Sequence, residues 1–350
     1  MKRLFLCFLV LTSFWTSCNS DDEMQPGTNE PLFNEGLFVI NEGPFQTGSG
    51  SITYYHRDSQ EVFQKVFQQQ NDGAVLGNIV QSMYIHEGRA YIVVNNADKI
   101  EVVDAQTFQY LATIEGLELP RYFLPISSTK AYVSQWGSDG ISGSIAILDL
   151  EQLRITQTIP CGQGTQALIL HQDLVYAANQ GGFGDDSTIV ALNPQSDQII
   201  NRISLGDNPQ AFIIDRKDEL WVLSRGFNDY LPNGLRRPGR LSHLFDGAVE
   251  ESIEVPVDAS HLVYDAERHK ILYTHPGGIH AISLDNLLAT PEVFSQRVFY
   301  GLNLDREQNL IYAADARQFQ SAGIIIVYDL DGVAVDSFET GIIPNGVWVL

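Results

Sequence analysis

One signature recurs along this chain and constrains the fold more than any other feature. A short apolar run with one aromatic is followed by a loop, then an alternating run that often ends in Asp, a tight turn and another alternating run. The first runs are GLFVINEG, RAYIVVNN, KAYVSQWG, LVYAANQG, LWVLSRG, ILYTHPG and LIYAADA, with aromatics at Phe38, Tyr91, Tyr132, Tyr176, Trp221, Tyr273 and Tyr312. The seven anchors stand 39 to 53 residues apart. The second runs are SITYYHR, KIEVVDA, SIAILDL, TIVALNP, GRLSHLF, GIHAISL and IIIVYDL, and third runs include YLATI, ITQTI, IINRI and VDSFE. Period-2 alternation and β-branched content make these strands. A unit of about 45 residues with about four strands is a β-propeller blade. A (β/α) barrel would need long helical periods between strands, and only a turn near LDNLLAT hints at one.

Each unit also opens with a strand ahead of its aromatic: VQSMYIH, PRYFLPI, TQALILH, PQAFIID, ASHLVYD and YGLNLD. That is six strands for seven anchors, and nothing ahead of Phe38 qualifies. The missing one is PNGVWVL at the other end of the chain, which shares Asn, Pro and an apolar run with NPQAFII. The expected fold is therefore all-β, a seven-bladed β-propeller closed by the C-terminal strand pairing into the first blade, which leaves no free edge.

The propeller is expected over residues 36 to 350. Ahead of it, Lys2 and Arg3 precede an apolar stretch from Leu4 to Trp15, of signal-peptide rather than membrane-span length. TSC then places Cys18 where a lipoprotein signal peptidase would cut, so residues 1–17 read as a lipoprotein signal peptide; an ordinary signal peptide with an incidental cysteine is the alternative. NSDDE and MQPGTNEP make residues 18–35 a lipidated, flexible linker. Cys161 is then left alone, which excludes an intramolecular disulfide and suits a small buried hydrophobe. With 43 acidic against 21 basic residues, the chain repels phosphate backbones, so nucleic acid is not an expected partner.

In a propeller the connections alternate between two faces. The turns between first and second strands are short (HEGR, SSTK, HQD, RKDE, REQN). The loops between second and third strands are long: NEGPFQTGSGS, QWGSDGISGS, NQGGFGDDS, SRGFNDYLPNGLRRPGR and ADARQFQSAG. Elaborated loops on one face of a rigid scaffold are where binding is normally placed. They carry Phe45, Trp136, Phe183, Phe227, Tyr230 and Phe319, each of which either pins its loop to the body or faces a ligand. The starts of the inner strands ring the channel on the same face with Gln81, Arg121, Tyr122, Gln166, Gln210, His261, Tyr300 and Asn345. These side chains either tie strand ends and channel water together or form a ring of amides and phenols for a large polar ligand. Arg225, Arg236, Arg237 and Arg240 crowd one loop, with Arg121 and Arg317 near by topology; they pair with surface acids or receive an anionic group.

Chemistry is harder to find. The inner-strand starts offer no carboxylate cluster to compensate a hard cation. Asp139, Asp185 and Asp186 suit calcium or simple Asp turns. HPGGIH sets His275 and His280 across a turn without a third zinc ligand. No serine lies in a nucleophile elbow, and the Gly-rich segments join strand to strand rather than strand to helix. Neither a metal, a cofactor nor an enzymatic activity is expected.

The Cys18 signal with NSDDE, followed by LFVINEG, VQSMYIHEGRAYIVVNN, ELWVLSRG and IYAADA, resembles the YncE-like seven-bladed propeller lipoproteins of Bacteroidetes, over about residues 36 to 350. That group includes BtuG-like surface proteins. The resemblance implies a lipid-anchored protein of the outer membrane, exposed at the cell surface. Such a protein captures a cobalamin-like corrinoid and delivers it to a TonB-dependent transporter. Siderophore or haem capture on the same scaffold is one alternative, and a metal-dependent propeller hydrolase or lyase is another.

Overall fold

The middle strands of the units are apolar at nearly every position, as in Leu37 to Ile40 and Ala90 to Val94, so both faces of each sheet must be covered. Seven four-stranded antiparallel sheets cover one another in this way. The computed structural model describes residues 33–45 and 47–350. The expected signal peptide, the lipidation site Cys18 and most of the expected linker lie outside the described residues. Phe33, three residues ahead of the expected start of the propeller, is already buried against Phe38, Tyr54 and Phe108.

Six sheets take their four strands in chain order, innermost first. They begin at Val80–His86, Pro120–Pro125, Thr165–His171, Pro209–Ile214, Ser260–Asp265 and Gly301–Asp305, and define blades 2 to 7. Blade 1 takes its inner strand, Pro344–Val349, from the end of the chain, followed by Gly36–Asn41, Ser51–His56 and Glu61–Phe63. In that closure Phe38 pairs with Trp348 and Leu37 with Val349. Among the described residues the one α-helix is Val66–Gln70, five residues in the crossing from blade 1 to blade 2. Its apolar content, Val66 and Phe67, is too short for a helical period to register in the sequence.

Seven buried clusters fill the seven interfaces between neighbouring blades. One joins blades 1 and 2 through Phe38, Ile52, Val80 and Ile92. Another joins blades 7 and 1 through Tyr312, Ile325, Leu37 and Val39. All seven aromatic anchors lie in these clusters. At about 25 cal/mol per Å² of apolar area removed from water, this inter-blade burial is the main force holding the ring.

The long loops between second and third strands and the crossings from outer to inner strands share one face, called upper here. Blade 5 extends its upper loop with a short ribbon, Phe227–Asn228 against Arg236–Arg237.

Candidate ligand-binding site at the channel mouth

Six of the seven inner strands break register at the same place, one residue or two after they begin. The residues skipped by the pairing are Gln81 in blade 2, Arg121 and Tyr122 in blade 3, and Gln166 and Ala167 in blade 4. Gln210 in blade 5, His261 in blade 6 and Asn345 in blade 1 complete the set. Each is a β-bulge, which sets an extra residue outside the ladder and re-aims its side chain. Blade 7 pairs without a break, and Tyr300 stands just before its inner strand. The expected ring of polar residues is thus a ring of bulges at the upper mouth of the channel.

Neighbouring bulges are stitched together. Asn345 donates to the Gln81 carbonyl at 3.0 Å, Ser82 to the Arg121 carbonyl at 2.7 Å, and Gln210 to the Ala259 carbonyl at 2.8 Å. Gln180, which the sequence reading passed over, donates to Gln210 Oε1 at 3.1 Å. His261 Nδ1 lies 3.2 Å from the Thr274 hydroxyl. Below them is a cavity of about 290 Å³, polar at Tyr122, Gln166, Gln210, Ser260 and His261, and apolar at Leu168, Phe212, Leu262 and Leu302. Burial pulls the His261 imidazole down to about 4, so it stays neutral near pH 7.

Two aromatic corners flank the ring. At blades 3 and 4, the Arg121 guanidinium lies 4.1 Å from the Trp136 ring, and Phe183 meets Trp136 edge-on at 5.7 Å. Gln166 Oε1 accepts from both Arg121 Nε, at 2.8 Å, and Trp136 Nε1, at 3.1 Å. At blades 7 and 1, Phe319 stands edge-on to Tyr300 at 5.1 Å. Phe45, Phe183, Tyr230 and Phe319 are 64%, 75%, 66% and 48% exposed, so these rings do not pin their loops into the core.

The inner-strand starts carry no carboxylate cluster, but a single carboxylate from a neighbouring loop reaches the mouth: Glu42. Its carboxylate accepts from Asn345 Nδ2 at 3.0 Å and from the Tyr300 hydroxyl at 3.3 Å. Burial raises its pKa, while Asn345, Arg121 and Tyr300 pull the other way. Burial lowers the Arg121 guanidinium and raises the Tyr122 and Tyr300 phenols. Glu42 follows the second strand of blade 1 and reads as loop in one dimension. Only the pairing with Pro344–Val349 brings it beside Asn345.

Most of the arginines near the upper face are taken by acids. Arg225 pairs with Asp258 at 2.7 Å, Arg237 with Asp207 at 2.5 Å, Arg240 with Glu254 at 3.4 Å and Arg317 with Glu339 at 3.3 Å. Phe227 lies under Arg237 at 4.4 Å, and the Tyr230 hydroxyl donates to Asp258 at 2.8 Å. Arg236 is exposed on the ribbon. Asp139 and Asp186 close turns by accepting from Ile141, Ser142, Ser187 and Thr188, and Asp185 accepts from Asn208. His275 and His280 stack edge-on with centroids 4.3 Å apart. Among the described residues no three His, Cys, Asp or Glu side chains gather as a metal-ligand set.

No curated protein matches the chain in sequence. Among solved structures it is similar to a quinonprotein alcohol dehydrogenase-like protein from Bacteroides thetaiotaomicron, with 16% identity, TM-score 0.66, and 90% of this chain and 78% of that one covered. It is similar to the periplasmic gluconolactonase of Pseudomonas aeruginosa, with 11% identity, TM-score 0.65, and 90% and 99% covered. It is also similar to dihydro-heme d1 dehydrogenase NirN in complex with DHE, with 14% identity, TM-score 0.55, and 91% and 77% covered. At such identities the likeness is one of fold. A family model, the Domain of unknown function DUF5074, matches residues 35–226, more than half of the chain, and the chain therefore belongs to the DUF5074 family.

Proposed function

We propose that this propeller is a non-catalytic capture protein that binds a large, amide-rich small molecule of the corrinoid class over its upper channel mouth. A lipid on Cys18 would anchor it in the outer membrane at the cell surface, and a TonB-dependent transporter would receive the cargo, as for the BtuG-like proteins it resembles. The observation that carries this reading is the one-sided surface. A ring of amide and phenol side chains on bulges is bordered by exposed aromatics on four loops. A rim of donors and acceptors with apolar shoulders suits a ligand that is flat, broad and fringed with amides. Such a site needs no proton-transfer chemistry.

A lactone hydrolase is the competing reading, since one structural neighbour is a gluconolactonase. Glu42 is the observation in its favour, because a carboxyl with a raised pKa suits a general acid. Titration of the full-length protein in detergent with cyanocobalamin, followed by calorimetry and by the corrin absorbance, tests the capture reading. Heat and a spectral shift at micromolar ligand are expected; the absence of both would sink the reading. Parallel titrations with a ferric catecholate and with haem separate corrinoid capture from siderophore or haem capture. Turnover of a sugar lactone, lost in Glu42→Gln, would favour the enzyme.

A further inference from the structure

We propose that Arg121 is a preformed receptor for an oxyanion, a carboxylate or phosphate-ester group of the captured ligand, and that Glu42 is its internal competitor. The inference rests on the capture reading for its ligand but not for its chemistry. A guanidinium carries five N–H donors in a planar fork. In Arg121 one of them, Nε–H, is given to Gln166 Oε1 at 2.8 Å. The plane is fixed from one side by the Trp136 ring at 4.1 Å. Trp136 is held in turn by the same Gln166 oxygen at 3.1 Å. The fork is therefore locked before any ligand arrives, which removes the side-chain entropy that an arginine normally loses on binding.

The two terminal nitrogens of that fork have no hydrogen-bond partner among the described residues, and no described carboxylate lies within ion-pair distance. This sets Arg121 apart from Arg225, Arg237, Arg240, Arg297 and Arg317, each of which has a carboxylate within 4.0 Å. Arg89 and Arg202 also lack a carboxylate, but their terminal nitrogens are given to Leu150, Thr188 and Cys161 oxygens, whereas the half-buried Arg121 gives its terminal nitrogens to no described acceptor. Glu42 is the acid in electrostatic reach, but Asn345 and Tyr300 hold its carboxylate on their own side of the mouth. The titratable groups facing the site are Glu42, Tyr122 and Tyr300; the phenols stay neutral, and the Tyr300 hydroxyl is already given to Glu42. An oxyanion would accept from both terminal nitrogens of Arg121 in the bidentate geometry that carboxylates and phosphates share. Its charge would disfavour ionised Glu42, so binding would take up a proton there.

The test uses the full-length protein labelled with 5-fluorotryptophan, with the Trp136 resonance assigned through Trp136→Phe. Sulfate, methyl phosphate and acetate are titrated separately at constant ionic strength, up to about 50 mM. The expected result is a saturable shift of the Trp136 resonance. Arg121→Gln abolishes it, and Arg121→Lys, which keeps charge without the fork, weakens it by about tenfold. Glu42→Gln strengthens sulfate binding and flattens its pH dependence, which in the native protein favours acid pH. Preference for acetate or for methyl phosphate identifies the ligand group as carboxylate or phosphate ester. Absence of any Trp136 shift, or a shift that survives Arg121→Gln in a protein with unchanged circular dichroism, overturns the proposal. Cyanocobalamin binding unaffected by Arg121→Lys would also overturn it while leaving capture intact. Anion binding without corrinoid binding would support the receptor and defeat the corrinoid reading.

Discussion

Blades 3 and 4 meet at the upper face through glycine backbones, and this contact can be tested against an internal control. Gly164 has φ +53°, and a Cβ there would lie 1.9 Å from the backbone nitrogen of Gly182. Gly182 has no room either, since its own Cβ would lie 2.1 Å from the Gly140 carbonyl oxygen. Gly88, in a short turn on the lower face, has φ +73° and nothing within 4 Å. Alanine at either position carries about 1–2 kcal/mol of left-handed strain. Loss of glycine's freedom in the unfolded chain returns about 0.4–1 kcal/mol. Gly88→Ala should therefore cost less than about 1.5 kcal/mol. Gly164→Ala adds an overpacking penalty of about 1–3 kcal/mol, and because the obstacle is backbone, no rotamer change relieves it. Its total is about 1–5 kcal/mol, or a fall in thermal midpoint of about 2–10 °C, using about 2 °C per kcal/mol for a domain of this size. Melting of both variants by circular dichroism is the assay. Gly164→Ala should also change Trp136 fluorescence, because Phe183, whose N–H donates to Gly140 at 2.9 Å, moves with Gly182. If the two alanine variants melt within about a degree of each other, the interlocking of these loops is not tight and the reasoning fails.

Deleting residues 344–350 removes the inner strand of blade 1 and exposes edges on Gly36–Asn41. Such a protein should be protease-sensitive and prone to self-association, and one that melts like the full chain would refute the closure. His261, with its imidazole pulled down to about 4 by burial, stays unprotonated in the fold while the unfolded chain takes up a proton near pH 6.5. The stability it contributes is complete above about pH 6.5 and is lost as pH falls through about 4. A His261 NMR titration midpoint near 6.5 would contradict this. Burial pushes the Cys161 thiol up to about 12, so a disulfide reagent at neutral pH should label it only after unfolding; rapid labelling of the native protein would overturn that.

The architecture was legible because it is written seven times. Alternation, anchor spacing and the displaced PNGVWVL each pointed to the same ring, and the pairing of Phe38 with Trp348 agrees. The ring positions could be placed from sequence because Gln81, Gln210 and Asn345 each stand second in the strand that opens a unit. That they are bulges was not legible: an extra residue leaves the alternating pattern intact for a strand this short. Glu42 was missed because its partner Asn345 is 303 residues away. The arginine pairings were illegible for a similar reason, since Arg225 and Asp258 sit on different connections and meet only when blade 5 folds. The exposure of Phe183 and Phe45 likewise depends on loop conformation, which no periodicity encodes.

The bulges carry a consequence for how such a protein can change. A side chain inside a ladder is answerable to its cross-strand partner and to the packing on its face. Gln81, Arg121, Gln166, Gln210, His261 and Asn345 have no cross-strand partner. Altering one of them leaves every rung of its sheet in place. What such a change can break is the stitching between blades, as at Asn345 to the Gln81 carbonyl or Gln210 to the Ala259 carbonyl. The lining can therefore vary one blade at a time without shifting the register of any strand, provided the hydrogen bond to the next blade is remade.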